Sequence, residues 1–140
     1  MQVRDVMTKQ PHYLDADASI REVAQTMSER NTGFEPLVKD DRVTGVVTDR
    51  DLALRAYADN RSLDEKVSAI ASDKVLYTYE SEDVDHVLEN MIDQHVQRLL
   101  VLNDPEKKDL SGIVSLGDIA NHCEDDQLAR KLVSCARHYQ

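Results

Sequence analysis

Basic residues are few in this chain. Seventeen Lys and Arg stand against 27 Asp and Glu in 140 residues, a formal charge of −10. A chain of that sign does not gather nucleic acid or an anionic membrane surface by long-range attraction, although a small local anion site remains open to it. Long apolar runs are missing too. The longest, Leu99-Leu100-Val101-Leu102, falls far short of the about 20 residues of a membrane-spanning helix. Nor does an apolar stretch follow Arg4, Asp5 and Lys9, so no secretory signal is expected. Cysteine is limited to Cys123 and Cys135. On one helix they would lie about 18 Å apart, and a disulfide needs Cα atoms within about 7 Å. The lack of a disulfide framework fits a reducing, cytoplasmic setting. Glycine occurs only four times, which makes the position of each one informative.

What is present is an ordinary folded composition, 41% hydrophobic and 31% charged, with enough length to bury roughly 68–70% of the unfolded surface. The chain also repeats itself. An offset of 64 aligns Val3 with Val67, Val6 with Ile70, Tyr13 with Tyr77, Ile20 with Val84, Val23 with Val87 and Met27 with Met91. Further on the offset becomes 67, pairing Gly45 with Gly112, Val47 with Val114, Thr48 with Ser115, Asp51 with Asp118 and Ala53 with Ala120. The extra residues fall within the polar stretch 103–109, which contains Pro105 and suits a surface loop.

Each copy reads as β-α-β-β-α. Short extended runs at 12–15 and 75–79 precede helices whose apolar residues recur at i, i+3, i+4 and i+7, as Ile20, Val23, Ala24 and Met27 do. Ser19 with Glu22, and Asp83 in the second copy, mark the helix starts. Strands are expected at 35–39 and 43–48, then at 98–103 and 110–115, with closing helices from Asp49 and Leu116. One copy of about 60 residues makes a marginal core, so the two are expected to pack as one module. Division falls at 1–60, 61–122 and a C-terminal helix in 123–140. Leu128, Leu132, Cys135, Ala136 and Tyr139 form a stripe on that helix, expected to pack onto the module or across a dimer. Cys135 with His138, and His122 with Cys123, are possible metal-ligand pairs by residue type, but two pairs some 18 Å apart do not converge on one ion. No metal is expected.

The recurring chemistry is Gly45-Val-Val-Thr48-Asp-Arg-Asp51 and Gly112-Ile-Val-Ser115-Leu-Gly-Asp118. Both set a hydroxyl three residues before a carboxylate at a strand-to-helix junction. A capping box explains this pattern by itself, since an acid in the first helical turn is favoured by about 0.3–1 kcal/mol. The same geometry suits a ribose cis-diol on the carboxylate and a phosphate or ribose oxygen at the hydroxyl. The two readings are compatible.

The duplicated β-α-β-β-α pattern, with Val6-Met7-Thr8, Pro36-Leu37-Val38 and a Gly-x-x-[Ser/Thr]-x-x-Asp turn in each copy, resembles the cystathionine-β-synthase (CBS) domain pair. The resemblance spans about residues 3–121. It implies an α/β fold of two CBS repeats packed as one pseudo-symmetric module, with a C-terminal helix added. It also implies a stand-alone regulatory or sensory module, not an enzyme, that binds an adenosyl-containing nucleotide in the cleft between repeats and signals by conformational change. AMP, ADP, ATP, NAD-type nucleotides and S-adenosylmethionine are the ligand types implied, as regulatory ligands and not as catalytic cofactors. One candidate site then uses Asp118 for ribose, Ser115 and Arg98 for phosphate, and Val75, Leu76 and Tyr77 beside adenine. The other uses Asp51 and Thr48, with His12 and Tyr13 beside the base. A homodimer and a separate regulated protein are the implied partners.

The copies differ. Phe34-Glu35-Pro36 stands where the second has Arg98-Leu99-Leu100, and a glutamate there would repel a phosphate. Asp49-Arg50 replaces Leu116-Gly117, and Arg50 is expected to project into solvent. Tyr13 and Tyr77 are expected to fill the core or the cleft edge, with purine stacking the alternative. The competing function is a protein-interaction or oligomerisation module with vestigial clefts. His12, His86, His95, His122 and His138 are scattered, with no motif joining any of them to Ser or Cys, which is why no catalysis is expected.

Overall fold

A computed structural model describes the backbone of residues 1–138 and the side chains of residues 1–137. In chain order the elements are α1 (Val3–Val6), β1 (Thr8–Lys9), β2 (Leu14–Asp15), α2 (Ile20–Arg30), β3 (Phe34–Lys39), β4 (Arg42–Thr48) and α3 (Asp49–Asp51). A π-helical continuation at Leu52–Tyr57 and a 3₁₀ turn at Val67–Ala69 follow. Then come β5 (Tyr77–Tyr79), α4 (Val84–Gln94), β6 (Arg98–Leu102), β7 (Leu110–Ser115), α5 (Leu116–Asn121) and α6 (Asp126–His138). The fold is mixed α/β with two sheets, ordered β2-β3-β4 and β1-β7-β6-β5.

The duplication holds element by element. Both α2 and α4 are 11 residues long and start at the same 64-residue offset. Ser19 Oγ accepts from the backbone N–H of Glu22, and Asp83 from that of Asp85, so each helix opens on a side-chain cap. Each closes on a left-handed residue, Asn31 in one copy and His95 in the other. The hairpins β3-β4 and β6-β7 carry a register shift at equivalent places, between Leu37 and Val38 and between Val101 and Leu102. The strands begin one residue earlier than the spacing predicts at Phe34 and Arg42 and end one earlier at Leu102, within the usual blur of element ends.

Two compact units divide the chain differently from the repeats. One is His12–Val75; the other joins Met1–Pro11 to the chain from Leu76 onward. Each unit thus contains one β-α-β-β-α body and the lead-in segment of the other copy. In the first unit Val67 N donates to Ala18 O at 2.8 Å; in the second Val3 N donates to Glu82 O at 2.9 Å. These are equivalent bonds. Two of the glycines are explained by the same arrangement. A Cβ on Gly45 would meet Ser72 O at 2.8 Å, and one on Gly112 would meet Thr8 O at 2.8 Å. Ser72 and Thr8 are themselves 64 residues apart, so each glycine admits the same carbonyl of a lead-in segment.

Each unit has its own core. Ile20, Val23, Leu37, Val47, Val67 and Ile70 fill the first. Val87, Leu88, Met91, Leu99, Val114 and Ile119 fill the second, where Leu128 and Cys135 of α6 join them and Leu132 packs alongside. The stripe on α6 therefore packs onto its own unit. Ala136 is exposed, and Tyr139 lies outside the described residues. Lys131 ties α6 to α4 through Asp85 Oδ1 at 2.9 Å, which holds the ammonium above its ordinary pKa.

Candidate functional site

In the second unit the chemistry gathers where β7 runs into α5. Ser115 and Asp118 cap each other: Asp118 N donates to Ser115 Oγ at 3.1 Å, and Ser115 N donates to Asp118 Oδ2 at 2.9 Å. The capping reading of the motif is thus realised. It occupies one carboxylate oxygen and leaves Oδ1 out of the cap. Across the hairpin, Arg98 pairs with Ser115, so the two side chains leave the same face of the sheet. On the other side of β6, Tyr77 pairs with Leu100, and Leu76 O accepts from Leu100 N at 3.1 Å. Ser115, Asp118, Arg98, Leu76 and Tyr77 therefore share one unit. Val75, bonded directly to Leu76, is the last residue of the other unit.

The first unit repeats the frame with different side chains. Asp51 N donates to Thr48 Oγ1 at 3.1 Å and Thr48 N to Asp51 Oδ2 at 3.0 Å. Opposite Thr48 stands Phe34, so an aromatic ring replaces the guanidinium. Asp49 adds a carboxylate; its Oδ1 accepts from Arg50 N at 2.9 Å, and Oδ2 lies where a Cβ on Gly33 would reach 2.6 Å. Arg50 is exposed, as its placement in sequence implied.

One expectation needs correcting. Glu35 pairs with Val47, one step along from Phe34 and Thr48. Alternation therefore turns it to the opposite face, away from the capping hydroxyl. It is 1% exposed, and its carboxylate accepts from Thr32 Oγ1 at 2.9 Å and lies 3.2 Å from His12 Nδ1. The first copy loses its cation through Phe34; Glu35 is a core group and does not confront a ligand. Of the core and the cleft edge expected for the tyrosines, exposure excludes the core. Tyr13 is 54% and Tyr77 42% exposed. Tyr77 stacks edge-on with Tyr79 at 5.7 Å, and both line an open cavity of about 230 Å³ with Glu82, His86 and Asn90. Burial, then the hydrogen bond with Tyr77, raises the Tyr79 hydroxyl above its ordinary pKa.

Spacing alone does not single out Thr32. The available signal was a comparison of the copies, which sets Val96 in its place. As for metals, Cys135 Sγ donates to Val96 O, and Cys123 Sγ to Asp125 O. Among the described residues no group of three or more His, Cys, Asp or Glu gathers as ligands. The His138 side chain lies outside them. Burial pushes the Cys135 thiol above its ordinary pKa, which makes it a poor thiolate source.

The class that this fold and these paired junctions define is a duplicated β-α-β-β-α module. The CBS domain model matches residues 3–57 and 67–125. The chain belongs to the CBS domain family. It is 34% identical over 120 residues to the uncharacterized protein YlbB of Bacillus subtilis, covering 84% of this chain and 79% of that one. Among solved structures it is similar to the CBS domain pair of protein MJ0100 in complex with 5′-methylthioadenosine and S-adenosyl-L-methionine. The TM-score is 0.77 with 27% identity, over 87% of this chain and 94% of that one. It is similar also to CBS domain protein PAE2072 from Pyrobaculum aerophilum complexed with AMP. There the TM-score is 0.79 with 25% identity, over 96% and 99% of the two chains. No described helix is long and apolar enough to cross a membrane.

Proposed function

We propose that this chain is a regulatory module that binds an adenosyl-containing nucleotide and passes the event on as a conformational change. The observation that carries the reading is the registered group Arg98, Ser115 and Asp118. A carboxylate with one oxygen outside its cap suits a ribose diol, and a hydroxyl beside a guanidinium suits a phosphate. Leu76 and Tyr77 supply the strand beside which the base would lie. Thr48, Asp51, His12 and Tyr13 would form a second site, without the guanidinium. The adenosyl ligands of the two solved relatives support the same class of ligand.

The test is a thermal-shift and calorimetry panel with AMP, ADP, ATP, NADH and S-adenosylmethionine. Ligand at 100 times its dissociation constant adds about 2.7 kcal/mol of stability, or roughly 5–11 °C in a chain of this size. No shift with any of them at millimolar concentration sinks the adenosyl reading in favour of an interaction module. A homodimer is part of the proposal. A monomeric mass by light scattering at ten-micromolar-scale concentration would count against that part.

A further inference from the structure

The C-terminal helix reverses the sign of the chain. In a molecule of formal charge −10, α6 carries Arg130, Lys131 and Arg137 against Asp126 alone. Its inner face is occupied: Leu128 and Cys135 lie in the core of the unit, and Leu132 packs alongside. Lys131, on the flank, is engaged by Asp85 at 2.9 Å and Glu89 at 3.4 Å. The outer face is open to solvent. Asp126, Ala129, Arg130, Val133, Ser134 and Arg137 line a shallow groove of about 430 Å³ along it, and Val133 is 50% exposed. Among the described residues no ion pair engages Asp126, Arg130 or Arg137.

That face is complementary to itself. At 3.6 residues per turn these six side chains share one stripe, whose midpoint lies between Lys131 and Leu132. A second copy laid antiparallel about a two-fold axis at that height would set Asp126 level with the partner's Arg137, at both ends of the stripe. Nearer the axis Val133 would meet its own counterpart and the partner's Ala129, a side chain small enough for close approach. On the other flank Arg130 would reach the hydroxyl of the partner's Ser134. Each contact occurs twice, as a two-fold interface requires. The arrangement also sets the positive end of each helix dipole beside the negative end of the other. Net charge points the same way. Two chains of charge −10 repel over most of their surfaces, and least where basic residues outnumber acidic ones.

We infer that α6 is a dimerisation surface, its outer face pairing antiparallel with the same face of a second copy. The inference rests on the homodimer part of the proposal above and names its surface. Asp126 and Arg137 fix direction and register, and Val133 with Ala129 supplies the apolar centre. The contact line from Asp126 to Arg137 is about 17 Å long, which suits a reversible dimer and not an obligate one.

The test is sedimentation equilibrium of the full chain at micromolar concentration, beside Asp126→Arg, Arg137→Asp and the double variant D126R/R137D. Each single reversal sets like charges level at both ends, so the dimer dissociation constant should rise about ten-fold. Two outcomes belong to a two-fold antiparallel pair. The double variant should recover the dimer, and an equimolar mixture of the two single variants should dimerise more tightly than either does alone. Isotope-filtered NMR on a mixture of labelled and unlabelled unaltered chain should show the methyls of Val133 and Ala129 in contact between copies. That measurement needs no variant, so it decides even if a variant fails to fold. A dimer indifferent to both reversals, or one without the methyl contact, overturns the α6 surface and leaves the homodimer standing. So does a mixture no tighter than its components. A chain that stays monomeric throughout overturns both readings.

Discussion

Arg98 and Ser115 stand directly opposite each other on neighbouring strands, and this register position is one at which the two copies differ in charge. In the first copy the pair is Phe34 and Thr48. Charge-assisted bonds to phosphate are about twice as strong as neutral ones. Arg98→Ala should therefore reduce the advantage of AMP over adenosine by about ten-fold, and flatten its dependence on salt. Phe34→Ala should leave that ratio alone. Calorimetry with both ligands checks this, and an unaltered ratio in Arg98→Ala would remove the guanidinium from the site.

The reciprocal caps have a cost that is independent of any ligand. Thr48→Ala and Ser115→Ala each leave an orphan N–H at a helix start, for a loss of about 1 kcal/mol. Urea unfolding of the two variants should give similar losses, because the two junctions have the same geometry. A loss in one and none in the other would show that only one junction is held by its cap.

Gly45 and Gly112 tolerate no side chain. A methyl at either meets a backbone carbonyl at 2.8 Å, and at Gly112 it also meets Met7 Sδ at 2.7 Å. Overpacking of this kind costs about 1–3 kcal/mol. Gly112→Ala and Gly45→Ala should each lower the unfolding midpoint, whereas Gly117→Ala, whose nearest neighbour is Ser115 Oγ at 3.6 Å, should not suffer from crowding. Equal midpoints for all three would contradict the close approach of the lead-in segments.

Acid stability should depend on Asp83. The N–H of Asp85 bonds to its Oδ1 at 2.9 Å and holds the carboxyl below its ordinary pKa, with the Met1 ammonium at 3.7 Å adding to the effect. A depressed folded value contributes stability that is complete above the unfolded value of about 3.9 and is lost as pH falls through the folded one. Asn caps without titrating. The stability difference between the unaltered chain and Asp83→Asn should thus shrink between about pH 5 and about pH 3. A difference flat across that window would show that the carboxylate charge does nothing for the helix start.

Much of this molecule was legible in its residues. Hydrophobic spacing located α2 and α4, because a stripe at i, i+3, i+4 and i+7 has one way to be buried. Polar turns delimited the hairpins, and the 64- and 67-residue offsets exposed the duplication. Thr48 with Asp51 and Ser115 with Asp118 were visible as caps because the bonds they make span only three residues. Glu35 was misread for the complementary reason. Its partners are His12, 23 residues away, and Thr32, and strand alternation, not nearness in sequence, determines which face a side chain takes.

By itself, then, the sequence determined everything that rests on local periodicity: two β-α-β-β-α copies, their caps, their paired glycines and the hydroxyl and carboxylate at each strand-to-helix junction. Tertiary structure alone decided that each lead-in segment joins the other copy's compact unit, that Arg98 faces Ser115, and that a carboxylate in the core holds His12. These depend on contacts between residues distant in the chain. Such contacts are set by which apolar faces find cover, and no local spacing encodes that.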